Sequence, residues 1–199
     1  VHLDHSTDFT LSQRAIVAGF SSVMFDGSQL AYSENVAGTR ETLRAAHACG
    51  VSVEAEIGAV GYADGTEYTP AYTTPALAAR FEADAGPDCL AVAVGTVHRM
   101  TAQNAEINFA LLDEIRAAIR TPVVIHGSTG VSDHDLQNLV RHGAKKINIG
   151  TQLRISFGNA LRRAFEENPN EFDRLKLYPA GQQAVYAVAK EKMQLLDLT

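Results

Sequence analysis

The chain has 199 residues, 46% apolar and 20% charged, with 15 glycines and 6 prolines, which excludes a disordered, collagen-like or coiled-coil protein and leaves an ordinary globular one long enough for a sizeable core. Its 23 acidic against 17 basic side chains give a net charge of -6, an argument against nucleic acid or an anionic membrane as partner, and no apolar run approaches the roughly 20 residues that span a bilayer. Two cysteines, Cys49 and Cys89, are too few for a disulfide framework and point to a reducing compartment, the cytoplasm.

Short β-branched runs alternate with helical stretches, the rhythm of a βα protein, and no linker divides them. The chain opens on Val1-His2-Leu3-Asp4-His5, without an initiator methionine or a signal-like segment, and reads as cut inside a strand rather than processed. Strands are expected at residues 1–4, 22–26, 51–57, 89–94, 122–126 and 146–149. Between them, helix 11–18 stops at Gly19, and Thr74-Pro75 opens helix 75–85. Asn108 caps a helix with Leu111, Leu112, Ile115 and Ile119 on one face, and Ser132 with Asp135 opens the next, which Gly143 closes. Residues 153–166 and 179–195 read as two final helices, suited to flanking a barrel or meeting another subunit. Residues 58–72, rich in Gly, Ala, Thr and Tyr, interrupt the rhythm; connections of this length serve as active-site lids or as insertions without a role.

Polar residues gather at the C-terminal ends of the expected strands: Asp4 and His5, Asp26, Glu54 and Glu56, His98, His126 and Asn148. Ligands of parallel βα architectures bind at that face. His5, His98 and His126, each from a different strand end, compose the ligand set of a catalytic divalent metal with an open position. Asp4, beside His5, is placed either to exchange a proton with a metal-bound substrate or to orient a ligand. Asp26 and Glu56, with apolar neighbours, fit a second metal position or structural hydrogen bonds, and Glu54, one step deeper, is expected to make a core hydrogen bond. His2, His47, His134 and His142 are read as structural. His126-Gly127-Ser128-Thr129-Gly130 and Asn148-Ile149-Gly150-Thr151, on the last two strands, suit a phosphate held by backbone N–H groups and a helix N-terminus.

With these motifs assembled, the chain resembles the class II, metal-dependent fructose-bisphosphate and tagatose-bisphosphate aldolases nearly end to end. The resemblance rests on His2-Leu3-Asp4-His5, Ser22-Val23-Met24-Phe25-Asp26-Gly27-Ser28, Val51-Ser52-Val53-Glu54-Ala55-Glu56-Ile57-Gly58, Gly95-Thr96-Val97-His98, His126-Gly127-Ser128-Thr129-Gly130 and Lys146-Ile147-Asn148-Ile149-Gly150-Thr151. It implies an α/β fold, a TIM (β/α)8 barrel of which residues 1–199 form one partial domain. It further implies zinc or another divalent metal on His5, His98 and His126, and Asp4 as acid/base at the C4 hydroxyl. Asp26 and Glu56 fall near a second metal position, and Gly127, Ser128 and Thr129 with Asn148, Ile149, Gly150 and Thr151 hold the phosphate of dihydroxyacetone phosphate, with Na+ or K+ nearby. The implied reaction splits a ketose bisphosphate into dihydroxyacetone phosphate and glyceraldehyde 3-phosphate through a zinc-stabilised enediolate. The implied complete protein is a homo-oligomer, dimer or tetramer. A related aldolase of another phosphorylated sugar or sugar acid, and a non-catalytic sugar-phosphate-binding accessory subunit, are the alternatives.

The chain departs from that family at three places. Arg99 stands where the family has Gly after the second histidine. Gly61-Tyr62-Ala63-Asp64-Gly65 replaces a loop carrying an acid/base Glu, with Asp64 or Glu67 as substitutes. Two βα units that precede the Asp-His motif in the family are missing, so the six-stranded remnant is expected to be unstable, aggregated or dependent on another polypeptide.

Overall fold

In a computed structural model, which describes residues 1–64 and 69–197, the β-branched runs form β1 (His2–Ser6), β2 (Ser22–Phe25), β3 (Ser52–Ile57), β4 (Gly61–Tyr62), β5 (Cys89–Val92), β6 (Val97–His98), β7 (Val123–Ile125) and β8 (Ala144–Ile147). The six expected strands are all present, with ends shifted by one or two residues. They make one sheet in the order β1-β2-β3-β5-β7-β8, parallel throughout, while β4 and β6 pair as a separate two-residue ribbon that sequence periodicity is too short to reveal. The fold is α/β, six parallel strands curled into a half-barrel with helices on its outside.

The helices are α1 (Phe9–Val17), α2 (Tyr32–His47), α3 (Pro75–Ala85), α4 (Phe109–Ala118), α5 (Asp133–Arg141), α6 (Thr151–Glu167) and α7 (Arg174–Leu196). Their starts follow the capping residues. Thr74 Oγ1 accepts from Leu77 N, Asn108 Oδ1 from Leu111 N and Ser132 Oγ from Asp135 N, at 3.0–3.2 Å. The last helix starts earlier than its proline suggests. Asp173 Oδ1 accepts from Leu175 N at 2.9 Å, and Pro179 in the second turn removes a single donor. His142 is the C-terminal cap of α5. Among the described residues, no helix is long and apolar enough to cross a membrane.

Strand alternation sorts the side chains into two layers. Ala55, Ile57, Leu90, Val92, Val123 and Ile125 face outward into the main core with Phe81, Leu112, Ile115, Leu136 and Leu139 of the helices, all buried. Val23 and Val53 do the same against Ala15, Leu43 and Ala46. The opposite parity fills the concave side, where Met24, Ala91 and Val124 form a small apolar floor. Continuing that parity toward the C-terminal ends brings Glu54, Glu56, His126, Lys146 and Asn148 to the same concave side.

Candidate functional site

A regular strand presents one of two neighbouring residues to a given face, yet Asp4 and His5 both line the same cavity. The cause is local: the β1–β2 register slips between Leu3 and Ser6, and His5 has φ +50°. This bulge re-aims His5 to the side that Asp4 already occupies.

His98 and His126 meet His5 there. The ring centroids of His5 lie 4.9 Å from His98 and 4.5 Å from His126, and the ligand-capable atoms of the three rings lie within 4.8 Å of one another. Gly127 makes this convergence possible: at φ +69°, a Cβ there would stand 2.8 Å from the Val97 carbonyl carbon and 3.0 Å from His98 N. Each imidazole is prepared differently. His5 Nδ1–H donates to Asp26 Oδ2 at 2.8 Å, which leaves Nε2 buried and without a partner. His126 Nε2–H donates to Glu54 Oε1 at 2.7 Å, so its Nδ1 keeps a lone pair, 3.3 Å from Asn148 Nδ2. Burial, then the neighbouring His5 and His126, push His98 down to about 4 and keep it neutral near pH 7. An orphaned buried nitrogen among three convergent imidazoles, backed by carboxylates, fits a divalent metal.

The acidic residues lie behind these rings. Asp26 anchors His5, and although burial opposes ionisation, the hydrogen bonds from His5 and Ser28 hold its pKa below the usual range. Glu56 is fully buried, with Oε2 unpartnered and 3.9 Å from His5 Nδ1; burial and the nearby Asp26 charge raise it to about 8. His5, Asp26 and Glu56 form a second group close enough to hold an ion. Because it uses the same imidazole, the two groups compete for His5. Glu54 makes the core hydrogen bond its depth suggested: burial raises its pKa, but His126 and Lys146 outweigh this and hold it at about 2.

The phosphate-type segments meet at one side of the cavity, whose volume is about 300 Å³. Gly127, Ser128, Thr129, Asn148, Gly150 and Thr151 line it, and Ile149 does not. Ser128 Oγ is buried without a partner, and Thr129 Oγ1 accepts from Gln152 N at 3.1 Å, tying the two segments together. Sequence reading missed Arg154, which lines the same side one turn into α6. Its distance of three residues from Thr151 was the available signal. Asp4 Oδ1 accepts from Asn148 Nδ2 at 3.0 Å.

The ribbon β4–β6 closes the remaining side. Tyr62, also missed, stacks on His98 at 4.8 Å, and Arg99 Cζ lies 5.0 Å from the Tyr62 ring centroid while its guanidinium pairs with Asp64. Arg99 takes φ +59°, the conformation a glycine adopts freely. Of the proposed loop acids, Asp64 is engaged by Arg99, and Glu67 lies outside the described residues.

Comparison with known proteins identifies the family. The sequence matches the class-II fructose-bisphosphate aldolase family over residues 1–199. It is 37% identical to a fructose-bisphosphate aldolase of Geobacillus stearothermophilus, over 98% of this chain and 68% of that protein. It is 36% identical to a 6-phospho-5-dehydro-2-deoxy-D-gluconate aldolase of Shouchella clausii, over 98% of this chain and 67% of that protein. The crystal structure of the YdjI aldolase from Escherichia coli K12 superposes with a TM-score of 0.80 at 33% identity, covering 98% of this chain and 67% of that one. The chain thus spans about two-thirds of the length of the proteins it matches.

Proposed function

The chain belongs to the class II fructose-bisphosphate aldolase family, and on that premise we propose that its site cleaves a phosphorylated ketose between C3 and C4 and, in reverse, joins the two fragments. The observation that carries this reading is the convergence of His5, His98 and His126 with His5 Nε2 buried and unpaired. These three residues would hold the metal, zinc or another divalent ion, with Asp26 and Glu56 at an alternate position. When bound, the ion supplies a Lewis acid that polarises the ketose carbonyl and balances the negative charge that develops as the bond breaks.

Asp4 takes the C4 hydroxyl proton in cleavage and returns it in condensation. Half exposed at the cavity and held by Asn148, it is positioned rather than buried. Gly127, Ser128 and Thr129 with Asn148, Gly150 and Thr151 bind the phosphate of the dihydroxyacetone phosphate half, Ser128 Oγ supplying a free donor, with Na+ or K+ beside it. The substrate is a ketose bisphosphate, fructose or tagatose 1,6-bisphosphate. The second reading, a phosphorylated sugar acid, draws on Arg99 in the cavity lining and on the Shouchella clausii relative. We read residues 1–199 as one partial barrel domain of a cytoplasmic homo-oligomer, in keeping with two free cysteines and with exposed Phe172, Leu175, Tyr186 and Met193 near or on α7.

The test is made on the whole protein that carries this chain. Zinc binds stoichiometrically, and cleavage across a panel of phosphorylated ketoses is abolished by chelation and by Asp4→Ala. A protein that binds no divalent metal, or that cleaves undiminished with Ala at position 4, overturns the reading.

A further inference from the structure

Besides the three-histidine group, His2, Asp4 and Glu54 also bring ligand-capable atoms within 4.8 Å of one another. That group already contains a cation. Lys146 Nζ donates to Glu54 Oε2 at 2.6 Å and lies 3.4 Å from His2 Nε2. The ammonium reaches the concave side because Lys146 shares strand parity with Asn148 and pairs across the sheet with Val124 of the apolar floor. Glu54 is completely buried, and its two oxygens are divided between two different strands: Oε1 to His126 of the segment after β7, Oε2 to Lys146 of β8. Cys89 Sγ, kept as a thiol by burial that pushes it up to about 12, adds a weak donor at 3.7 Å from Oε2.

A lone buried carboxylate can rotate and offer either oxygen to a neighbouring ring. Here one oxygen is fixed by a charge-assisted bond to Lys146, which leaves the other aimed at His126 Nε2 and the opposite ring nitrogen, Nδ1, toward the cavity. From this geometry we infer that Lys146 is a positioning residue, which through Glu54 orients His126 so that its Nδ1 faces the metal position. The inference rests on the metal reading given above. Lys146 is not among the residues that line the cavity, and its hydrogen-bond partners are Glu54 and His2 rather than the three imidazoles proposed as ligands, so Glu54 is its link to the metal position.

Two readouts test this on the whole protein. The first is zinc affinity by competition with a chelating dye: Lys146→Met binds zinc about 10-fold more weakly than the parent, the lower end of the range expected when a ligand's own partner is lost, because Glu54 itself remains. The second is the slowly exchanging, downfield His126 Nε2–H proton signal of the metal-free protein, which a merely structural lysine would not govern; it is lost in Lys146→Met. Should Lys146→Met fail to fold because Glu54 is left uncompensated, Glu54→Gln and the charge-balanced Glu54→Gln, Lys146→Met pair are compared instead: the two bind zinc equally, since without the carboxylate the lysine has nothing to position, and weaker binding by the pair overturns the role. Zinc affinity equal to the parent's in the folded variant overturns the role of Lys146. If the parent itself binds no zinc, the metal reading falls and the proton signal decides alone: its persistence in the variant overturns the role, and its loss supports it.

Discussion

Asn148 Nδ2 lies 3.0 Å from Asp4 Oδ1 and 3.3 Å from His126 Nδ1, so one amide spans the carboxylate proposed for proton transfer and an imidazole proposed for metal binding. Asn148→Ala frees Asp4 to rotate while leaving the three imidazoles in place. It should lower kcat about 100-fold, the scale of a mispositioned catalytic group, with zinc content unchanged. Steady-state kinetics and metal analysis on the same preparation separate these two effects.

Gly127 is the point where the end of β7 passes the backbone of Val97 and His98. Gly127→Ala places a methyl group 2.8–3.0 Å from those atoms and also forces a side chain into φ +69°. The expected cost is about 1–3 kcal/mol, together with weaker zinc binding because His98 is displaced. Denaturant midpoints and a zinc titration check both.

Arg99 offers a comparison in which backbone and side chain are separable. Arg99→Ala keeps the unfavourable φ and loses the ion pair with Asp64, whereas Arg99→Gly loses the same pair but relieves the backbone. The glycine variant should therefore be the more stable of the two by about 1 kcal/mol. Their thermal midpoints decide it, and equal midpoints would show that the backbone carries no strain there.

Glu82 joins α3 to the start of β7. Its Oε1 accepts from Arg120 N, Thr121 N and Thr121 Oγ1 at 2.6–2.8 Å. Burial alone would raise its pKa, but the bonds from Thr121 and Arg120 together outweigh it and lower the pKa. A carboxylate with a depressed folded pKa contributes stability above its unfolded value of 4.5, and that contribution is lost as pH falls through the folded value. Glu82→Ala should cost about 1–2 kcal/mol at pH 7, and the gap to the parent should close as pH falls below 4.5. Chemical denaturation at a series of pH values follows the gap.

Much of this site was legible because strand parity is strict. Asp26, Glu54, Glu56, His126 and Asn148 fall on alternating positions at the ends of apolar runs, and the structure gathers all five on the concave side. The cap residues Thr74, Asn108 and Ser132 likewise marked helix starts that the structure reproduces. Other features left weaker signals. The bulge that turns His5 beside Asp4 depends on a register slip against β2, a relation between strands that no local pattern contains. Tyr62 reaches the site through a ribbon of two residues, too short for periodicity. Lys146 shared the parity of Asn148, yet a lysine in a strand reads as a solvated edge until its buried acidic partner is placed opposite it.

Two contacts, Asn148 with Asp4 at the cavity and Lys146 with His2 beneath it, each join residues 144 positions apart. Every intervening strand must therefore be laid down before either contact can close, and loop-closure entropy places them among the slowest to form. Helices and local strand pairs can be recovered while this seam is still open. During refolding, the return of metal binding should then lag the return of helical signal, making the site a late reporter of the finished sheet rather than a nucleus around which it assembles.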